Sequence, residues 1–391
     1  MPQPLNILTL STLFPNAAAP NFGIFVERQT AELASRPETN VTVINPLGVA
    51  PWPLSNHQRY AALTALPVHE IWRGLELYRP RFTLFPKIGG PQNPKQIAKA
   101  ILPLAQKLHA QTPFDIVDAE FFYPDGPAAM RVASALGIPF TIKARGADIH
   151  HWGSDPKCLR QIMAAAGKAQ ALLAVSAALK QDMVNLGMDG DKINVHYTGL
   201  DQQKFKPVDR AAAKQQLGVE GPLFITAGAL ITRKNQDLVI RAMASFPDAI
   251  LLLAGSGEQD AAYKSLAVQL NLSDRVRFLG NVDHDDLPKL TAAADISILV
   301  SKSEGLANAW VEALACGTPV IISEAGGARE LVSSSTAGRI VEPSSEAIAT
   351  AIAGILEAPP LQSDVRACVA DFSWKNNGDQ LLDIFQPAVS D

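Results

Sequence analysis

The segment 299–332 constrains the fold more than any other part of the chain. It reads LVSKSEGLANAWVEALACGTPVIISEAGGARELV. Apolar residues at strand spacing up to Val300 predict a buried strand, and 309–315 predict a helix that ends at Gly317. A second short buried strand, 320–322, follows directly. Strand, helix and strand in this order form the repeating unit of parallel sheets, so the segment predicts an α/β fold.

The same alternation runs through the whole chain in two rounds. Strands are predicted at 5–10, 41–44, 116–117, 140–142, 172–175 and 193–196, and again at 223–227, 250–254, 276–279 and 296–300. Helices are predicted at 26–34, 96–109, 127–135, 177–186, 237–244 and 287–294. A chain of 391 residues is too long for one ordinary core. We therefore expect two doubly wound parallel sheets, joined by a linker near 201–209.

Composition narrows the class of protein. The chain is 47% hydrophobic and 18% charged, which is typical of a globular protein, and its net charge of −4 argues against a nucleic-acid partner. The three cysteines are widely scattered, which fits a reducing compartment and offers no metal spacing. No apolar run approaches the ~18 residues of a membrane span, and the N-terminus lacks the charged start of a signal peptide. A cytoplasmic enzyme is expected.

Two carboxylates stand out in the segment 299–332. Glu304 and Glu312 lie eight residues apart, roughly 12 Å along the axis if both were helical. A helix N-terminus between them would offer N–H groups to a phosphate, and a carboxylate accepts two hydrogen bonds from vicinal hydroxyls. On spacing alone, the simpler interpretation is one glutamate that favours the helix dipole and one that is solvated.

The surrounding residues favour the functional interpretation, because the segment resembles the donor-binding region of glycosyltransferase family 4. That family comprises retaining enzymes of the two-domain GT-B fold. The resemblance is carried by Glu304, Gly305, Glu312, Ala313, Ala315, Gly317, Pro319, Val320, Gly326, Gly327 and Glu330. It implies that Glu304 contacts the donor sugar and Glu312 the ribose. Gly305, Leu306, Ala307 and Asn308 stand where family members often have G-F-G-L.

The loop GALITRKN at 228–235 is similar to the G-x-L-x-x-x-K-x-x-D motif of the same family. The resemblance implies that Arg233 and Lys234 bind the donor diphosphate, where fixed cations would stabilise the charge on the leaving group. It also implies catalytic roles for Arg233, Lys234 and Glu304. The implied donor-binding set is Gly228, Arg233, Lys234, Gly255, Asn281, Val282, Glu304, Gly305, Leu306, Ala307, Asn308 and Glu312.

Four residues of the first half are implied on the acceptor side. Gly23 lies in a loop, P-N-F-G-I-F-V, that resembles bacterial polysaccharide glycosyltransferases, and Asp125 lies in a Y-P-D-G turn. Arg145 and Asp148 form R-G-A-D where H-G-x-D is usual. Arg145 is permanently charged and cannot act as a base, but it could hold a phosphate or a carboxylated sugar. An ordinary surface loop at Gly23 and a helix cap at Asp125 are the simpler alternatives.

The segment 71–95 mixes aromatic residues with the cations Arg73, Arg79, Arg81, Lys87 and Lys95. Such a patch can contact anionic lipid or an acceptor diphosphate, which predicts peripheral contact with the inner face of the membrane. The alternative is an ordinary strand and an irregular loop with solvated cations.

The predicted architecture is GT-B, with two Rossmann-like domains facing a central cleft. An acceptor-side domain is expected at 1–203, a nucleotide-sugar domain at 204–371, and a C-terminal helix at 372–391 that returns to the first domain. The resemblance implies retaining transfer of a sugar from a nucleotide-sugar donor to a hydroxyl of a glycan, a lipid-linked glycan or a small molecule, forming an α-type bond. No metal or other cofactor is expected. A nucleotide-sugar 2-epimerase of the same architecture and a non-catalytic sugar-binding protein are the alternatives. The sequence does not predict the sugar, the nucleotide or the oligomeric state.

Overall fold

The structure, a computed structural model, describes residues 3–86, 88–283 and 285–390. The chain forms two compact units. The N-terminal unit runs to Gly199 and includes the segment from Trp374 onward, and the C-terminal unit is Leu200–Ser373. The sequence-based boundaries lie at 203 and 372, close to these two positions.

The N-terminal unit is built on an eight-stranded sheet in the order β10-β9-β8-β7-β1-β2-β5-β4. The strands of this unit are β1 (Leu5–Leu10), β2 (Thr39–Ile44), β3 (Leu47–Val49), β4 (His69–Trp72), β5 (Leu75–Tyr78), β6 (Arg81–Thr83), β7 (Ile116–Ala119), β8 (Phe140–Ala144), β9 (Ala171–Ala174) and β10 (Ile193–Val195). Neighbouring strands are parallel except β4, which pairs antiparallel with β5. Strands β3 and β6 form a separate parallel pair.

Helices cover both faces of this sheet. They are α1 (Ile24–Ala34), α2 (Gln58–Thr64), α3 (Asn93–Gln111), α4 (Asp125–Leu136), α5 (Ala147–His150), α6 (Pro156–Lys168) and α7 (Ala177–Asn185). The central strand β1 buries Ile7, Leu8 and Leu10 almost completely. Burial of successive residues means that both faces of the strand are covered, which explains why β1 reads as a nearly continuous apolar run.

The C-terminal unit contains a six-stranded, wholly parallel sheet in the order β13-β12-β11-β14-β15-β16. Its strands are β11 (Leu223–Ala227), β12 (Ile250–Ala254), β13 (Val276–Gly280), β14 (Ile296–Leu299), β15 (Val320–Ser323) and β16 (Gly338–Val341). Its helices are α8 (Arg210–Gln216), α9 (Gln236–Ala242), α10 (Asp260–Gln269), α11 (Leu287–Ala293), α12 (Asn308–Ala315), α13 (Ala328–Leu331), α14 (Ser345–Glu357) and α15 (Gln362–Ala367).

The strand order of the C-terminal unit locates its ligand crevice. Numbered within the unit, the order is 3-2-1-4-5-6, the arrangement of dinucleotide-binding Rossmann sheets. The chain leaves β11 in one direction across the sheet and returns through β14 in the other. The loops after these two strands therefore diverge and leave a crevice at the carboxyl edge of the sheet.

The last helix, α16 (Trp374–Ser390), belongs to the N-terminal unit. Its buried residues share one cluster with β1, α1, β7 and β9, formed by Leu381, Leu382, Phe385, Ile7, Leu33, Ile116 and Leu173. Asn377 Nδ2 donates to the carbonyl of Tyr197 at 2.7 Å, and Arg36 pairs with Asp379 at 2.7 Å. Apolar burial and two polar contacts thus fix the helix on this sheet.

The start of α16 predicts the effect of one added methyl group. A Cβ on Gly199 would lie 2.4 Å from Trp374 Cε3 and 2.8 Å from its Cα. We expect Gly199→Ala to destabilise the protein by roughly 1–3 kcal/mol, because the start of the helix must shift. The measurement is the urea midpoint for loss of tryptophan fluorescence.

The matched control is Gly167→Ala in α6, where an added Cβ meets nothing within 4 Å. That change should be neutral or stabilise by about 0.5–1 kcal/mol, because alanine loses less entropy than glycine in a helix. Equal midpoints for the two variants would mean that the contact between Gly199 and Trp374 is not tight in solution.

Candidate active site

The loop after β11 carries the two predicted phosphate-binding cations. It ends in a short 3-10 turn, Thr232–Lys234, followed by Asn235 in a left-handed conformation with φ 53°. Asn235 Nδ2 donates to the carbonyl of Val300 at 2.8 Å, and the amide of Lys302 donates to the carbonyl of Arg233 at 2.8 Å. These bonds fasten the loop after β11 to the loop after β14, on the two sides of the crevice.

Three predicted site residues converge at this crevice. Lys234 Nζ lies 2.6 Å from Glu304 Oε1, and Arg233 Nη1 lies 3.1 Å from the same oxygen. Arg233 Nη1 also donates to the carbonyl of Ser303. The side chains of Lys234 and Glu304 are 13% and 10% exposed, whereas that of Arg233 is 43% exposed. Two cations share one carboxylate, so the cluster keeps a net positive charge that suits an anionic ligand.

The loop after β15 packs against the backbone of Glu304 and Gly305. Gly326 has φ +50°, and an added Cβ there would lie 2.3 Å from the carbonyl oxygens of both Glu304 and Gly305. The amide of Gly327 donates to the carbonyl of Gly305 at 2.8 Å. Only glycine permits this approach, which gives the predicted glycine pair a role in placing the Glu304 backbone.

Glu304 and Glu312 are not on one helix. Ala307 has an extended backbone, φ −71° and ψ 118°, so α12 begins only at Asn308 and Glu304 lies in the preceding loop. The axial estimate for two helical glutamates therefore does not apply. Glu312 is half-buried on α12. No side chain caps the start of α12, and Leu306 and Ala307 before it are buried.

The remaining donor-side residues lie along the same edge of the sheet. An added Cβ on Gly255 would be 2.0 Å from the carbonyl oxygen of Gly228, so the loops after β11 and β12 touch through glycine. Gly255 also bridges to Gly280, and Ser256 Oγ donates to Asn281 Oδ1 at 2.6 Å. Asn281 and Val282 directly follow β13. The structure thus brings Arg233, Lys234 and Glu304 into contact and places the others on neighbouring loops and on α12.

In the N-terminal unit, Gly23 and Asp125 both shape the loop after β1. Gly23 begins α1 with φ +71°, and an added Cβ would lie 2.5 Å from the carbonyl carbon of Leu13. Asp125 is fully buried at the start of α4, and its Oδ2 accepts from the amide of Thr12 at 2.8 Å. Burial raises the pKa of Asp125 to about 7, so this carboxyl titrates near neutral pH.

Asp148 fastens the loops after β7 and β8. Its carboxylate accepts from the amide of Phe122 at 2.8 Å and from the amide of Arg145 at 2.9 Å. Burial raises the pKa of Asp148, although these amide bonds oppose the shift. Asp148 therefore fixes the backbone at Phe122 and Arg145 through hydrogen bonds.

Arg145 is paired within the protein. Its Nε donates to the carbonyl of Glu120 at 2.7 Å, its Nη2 contacts the Glu120 carboxylate, and its guanidinium lies 4.6 Å from the centroid of the Phe25 ring. Sequence analysis did not single out Glu120. The available signal was an acid at the end of a predicted strand, close to the Y-P-D-G turn.

The predicted basic surface of 71–95 needs correction, because two of its cations point inward. Arg79 is fully buried, pairs with Glu70 at 2.8 Å and donates to the carbonyl of Pro15 at 2.9 Å. Arg81 donates to the carbonyls of Leu63 and Leu66. Lys87 lies outside the described residues. Arg73 and Lys95 are the two cations of this segment that are exposed in the described part of the chain.

Two properties of the described residues bear on membranes and metal ions. None of the helices described for the chain combines the length and apolar character that a membrane crossing requires. Within the same residues, no three His, Cys, Asp or Glu side chains come together as metal ligands would.

Comparison with protein families identifies both units. Residues 208–368 match the model described as "Glycosyl transferases group 1", and residues 30–204 match the model "Glycosyltransferase Family 4". The two matches together extend over most of the chain and fall one on each unit.

Curated relatives agree with these matches. The chain is 33% identical over 211 residues to a GDP-mannose-dependent monoacylated alpha-(1-6)-phosphatidylinositol monomannoside mannosyltransferase of Corynebacterium glutamicum, covering 48% of this chain and 55% of the relative. It is 34% identical over 238 residues to a D-inositol 3-phosphate glycosyltransferase of Mycolicibacterium gilvum, covering 57% and 53%. The matched part thus spans about half the length of these two relatives. A putative teichuronic acid biosynthesis glycosyltransferase, TuaC of Bacillus subtilis, is 26% identical over 89% of this chain and 88% of its own.

Solved structures share the fold. Sucrose-phosphate synthase from Thermosynechococcus elongatus superposes with a TM-score of 0.82 at 22% identity, covering 99% of both chains. Anabaena Alr3699/HepE in complex with UDP and glucose gives 0.76 at 22% identity, covering 98% of this chain and all of the other. The predicted fold class is confirmed by these superpositions and by the two Rossmann-like sheets. The family models and the shared architecture together show that the chain belongs to glycosyltransferase family 4, with the GT-B fold.

Proposed function

We propose that this protein transfers a sugar from a nucleotide-sugar donor to a hydroxyl group of an acceptor, with retention of configuration and formation of an α-type bond. The observation that carries the proposal is the convergence of Lys234, Arg233 and Glu304 at the crevice between β11 and β14. An anion-binding pair beside a carboxylate matches a ligand that has a diphosphate next to a polyol. A GDP-mannose-dependent relative and a fold neighbour solved with UDP-glucose support a donor of this class.

The donor would lie along the carboxyl edge of the C-terminal unit. Arg233 and Lys234 bind the diphosphate, and Glu304 accepts hydrogen bonds from hydroxyls of the sugar. Glu312 on α12 accepts from the ribose, and the uncapped start of α12 offers backbone N–H groups to phosphate oxygens. Asn281 and Val282 contact the base. The close glycine loops at Gly228 and Gly255, with Gly305 to Asn308, form the backbone surface beneath the donor.

The chemistry needs no protein nucleophile. The bond between the anomeric carbon and the diphosphate oxygen breaks as the acceptor oxygen bonds to the same face of that carbon. The acceptor proton passes to the departing diphosphate, so a nucleoside diphosphate and the glycoside are the products. Negative charge builds on the leaving oxygens, where preorganised cations lower the barrier most effectively. We propose that Arg233 and Lys234 supply this charge without a metal ion.

The acceptor would lie on the N-terminal unit, near Gly23, Asp125, Arg145 and Asp148. Relatives are named for a phosphatidylinositol monomannoside, for D-inositol 3-phosphate and for teichuronic acid biosynthesis. We therefore propose a glycan, a lipid-linked glycan or a small phosphorylated polyol as the acceptor. Nucleic acid is not proposed as a partner.

The proposed setting is the cytoplasm, with peripheral contact at the inner membrane face. Support comes from the loops after β3 and β6, which leave the same edge because these strands pair in parallel. They carry Trp52 and Ile88, which are 79% and 80% exposed. Large exposed apolar side chains on neighbouring loops suit a lipid interface.

Our first test of the function is a thermal-shift panel of GDP, UDP and ADP with their sugar conjugates. A ligand at 100 times its Kd adds about 2.7 kcal/mol of stability. Glu312→Gln should weaken binding of the preferred nucleotide by roughly 1–3 kcal/mol, because a charged acceptor for ribose hydroxyls is lost. The control, Glu346→Gln, removes an exposed charge from α14 and should bind as the wild type does.

A panel in which no nucleotide shifts the melting temperature would contradict donor binding. Conversion of the bound donor to an epimer in the absence of acceptor would replace transfer by epimerisation. Binding without any turnover across an acceptor panel would point to a sugar-binding protein.

The shared ion pair predicts opposite effects of Glu304→Gln on two ligands. Removing the carboxylate frees both cations, so a nucleoside diphosphate without sugar should bind roughly fivefold more tightly, about 1 kcal/mol. Turnover with the nucleotide sugar should fall at least tenfold, because the sugar loses an ionised acceptor. Isothermal titration and a release assay for the nucleoside diphosphate measure the two effects. Weaker binding of the diphosphate alone would show that Glu304 does not compete for the cations.

Chelation and cation removal should differ in their effects on transfer. EDTA should leave the wild-type rate unchanged, whereas Arg233→Ala and Lys234→Ala should each lower it on the order of 100-fold, since a fixed charge at the leaving group is lost. Lys302→Ala is the matched control, because Lys302 is an exposed cation on the neighbouring loop. A rate abolished by EDTA and restored by a divalent cation would refute the metal-free proposal.

Membrane contact predicts a difference in flotation with vesicles that contain phosphatidylglycerol. The double variant Trp52→Ser and Ile88→Ser should reduce the bound fraction at least fivefold, because its apolar side chains no longer enter the interface. Val268→Ser changes an equally apolar, 64% exposed position of the C-terminal unit and should float as the wild type does. A wild type that stays with the unbound protein would exclude the contact.

A further inference from the structure

We propose that Glu120 is a positioning residue for Arg145, and that Arg145, so held, binds an oxyanion of the acceptor, a phosphate or a carboxylate. This inference rests on the proposed function insofar as it places the acceptor on the N-terminal unit. The positioning of Arg145 and its binding of an anion are properties of that unit alone.

A stripe of ionisable side chains crosses the interior of the N-terminal sheet. Asp118 on β7 pairs in register with Thr141 on β8. Since side chains alternate along strands, Glu120 and Lys143, two residues further along, fall on the same face. Asp118, Glu120 and Lys143 are each at most 1% exposed. The interior of a parallel sheet is normally apolar, so this stripe calls for an explanation.

The stripe is joined into one chain of hydrogen bonds that begins at α16. His196 Nε2 donates to the carbonyl of Asn377 at 2.9 Å, which leaves Nδ1 to accept from Lys143 Nζ at 2.8 Å. Lys143 Nζ also donates to Gln29 Oε1 at 2.6 Å. Gln29 Nε2 then donates to Glu120 Oε1. The side-chain amide of Gln29 thus bridges Lys143 and Glu120, so the position of Lys143 helps to fix the carboxylate of Glu120.

Glu120 presents Arg145 in one orientation. The guanidinium is held at two points, through Nε on the Glu120 carbonyl at 2.7 Å and through Nη2 on its carboxylate. Phe25 supports its face at 4.6 Å. A guanidinium has five N–H donors, and Glu120 takes those on one side. Among the described residues Nη1 has no hydrogen-bond partner, and the side chain is 7% exposed at the edge of the sheet.

The charges of the stripe are arranged around an ionised Glu120. Burial alone would raise the pKa of Glu120, but Arg145 and Lys143 hold it below its ordinary value. Burial, then the charge of Glu120, raises the pKa of Asp118 well above its ordinary value, so Asp118 keeps its proton. Asp118 Oδ2 accepts no hydrogen bond in the described protein, and as a protonated oxygen it can donate to Glu120. Burial also lowers the pKa of His196 far below neutrality, which agrees with a single proton on Nε2.

Stability does not account for such an arrangement. Replacing a buried ion pair by apolar side chains of similar volume is often neutral or stabilising, because desolvation offsets the attraction. A satisfied polar network instead fixes a unique geometry. The feature that this geometry fixes is the guanidinium of Arg145 at the carboxyl edge of the sheet. A planar guanidinium binds phosphate or carboxylate through paired N–H bonds, which defines the class of ligand.

The direct test follows the guanidinium by NMR and needs no substrate. Protein with ¹⁵N-labelled arginine is titrated with inorganic phosphate and, separately, with acetate, at constant ionic strength. We expect one or both ions to shift the Arg145 signal until the shift saturates. Comparison of the two titrations shows whether the site prefers phosphate or carboxylate. The signal is assigned with Arg145→Lys, and exposed Arg131 on α4 serves as internal control. The absence of any saturable shift at Arg145 would overturn the anion site.

The same titration with Glu120→Gln tests positioning. The shift at Arg145 should fall at least fivefold in this variant, because the buried guanidinium loses the partner that fixes its orientation; if Glu120 were only a competing counter-ion, as Glu304 is proposed to be, the change would instead strengthen the shift. Should Glu120→Gln fail to fold, Gln29→Met breaks the chain between Lys143 and Glu120 while leaving Arg145 and its partner in place. An undiminished shift in the folded variant would show that Glu120 does not position Arg145.

Kinetics separates this role from a structural one. With the donor found in the panel, acceptors are compared in pairs, each a sugar phosphate or sugar acid and its uncharged counterpart. Glu120→Gln should raise the KM for the anionic member roughly tenfold and leave the KM for the donor unchanged. In an Arg145→Lys background the same change should have little further effect, since Glu120 acts through Arg145. If the losses caused by the two substitutions were additive, Glu120 would have a structural role and would not act through Arg145. The NMR test does not depend on the donor panel, so it would still apply if no donor were found.

Discussion

The parallel pairing of β11 with β14 is the constraint on which the candidate site of the C-terminal unit depends. The two strands come from distant parts of the chain, yet their adjacent carboxyl ends bring Lys234 within 2.6 Å of Glu304. Asn235 and Lys302 then lock the two loops together through backbone carbonyls. Gly326 completes the arrangement, because only a residue without Cβ lets the loop after β15 pass so close beneath Glu304. The site is therefore a consequence of strand order, and its side chains stand on a backbone that has little freedom to move.

The two units use charge in different ways. In the C-terminal unit, the cations and Glu304 lie at the rim, partly exposed, where an incoming anion can compete for them. In the N-terminal unit, the chain of hydrogen bonds from His196 to Glu120 is buried, and it reaches the edge of the sheet at Arg145. A rim pair can exchange partners at small cost, whereas a buried network cannot do so without leaving a polar group unpaired. Ion pairs that exchange partners would suit the binding of a leaving group. A permanent network would suit the recognition of a fixed feature of the acceptor.

Much of the fold could be predicted from local sequence, since apolar runs bounded by glycine, proline and polar residues mark each strand of a doubly wound sheet. The strands β1, β11 and β12 are confirmed with their predicted bounds. Arg233, Lys234 and Glu304 were indicated by the resemblance of their motifs to a known family, whereas spacing alone favoured a simpler interpretation of the glutamates. Local patterns did not show that Arg79 turns into the core, since its partner Glu70 and the carbonyl of Pro15 reach it only in the folded sheet. The role of Glu120 could not be predicted for the same reason, because it depends on contacts with Gln29 and Arg145, which lie in other elements.

The resting ion pair at the donor crevice bears on how such a site remains both stable and reactive. Two cations without an acceptor would repel each other and destabilise the loop after β11, and Glu304 offsets that repulsion while the crevice is empty. In the proposed function, a diphosphate brings more negative charge than one carboxylate and would draw the cations away. Glu304 would then be released beside the sugar, where an ionised acceptor for hydroxyl groups is needed. On this proposal one carboxylate serves first as a counter-ion and then as a sugar ligand, and the exchange couples arrival of the diphosphate to formation of the sugar contact.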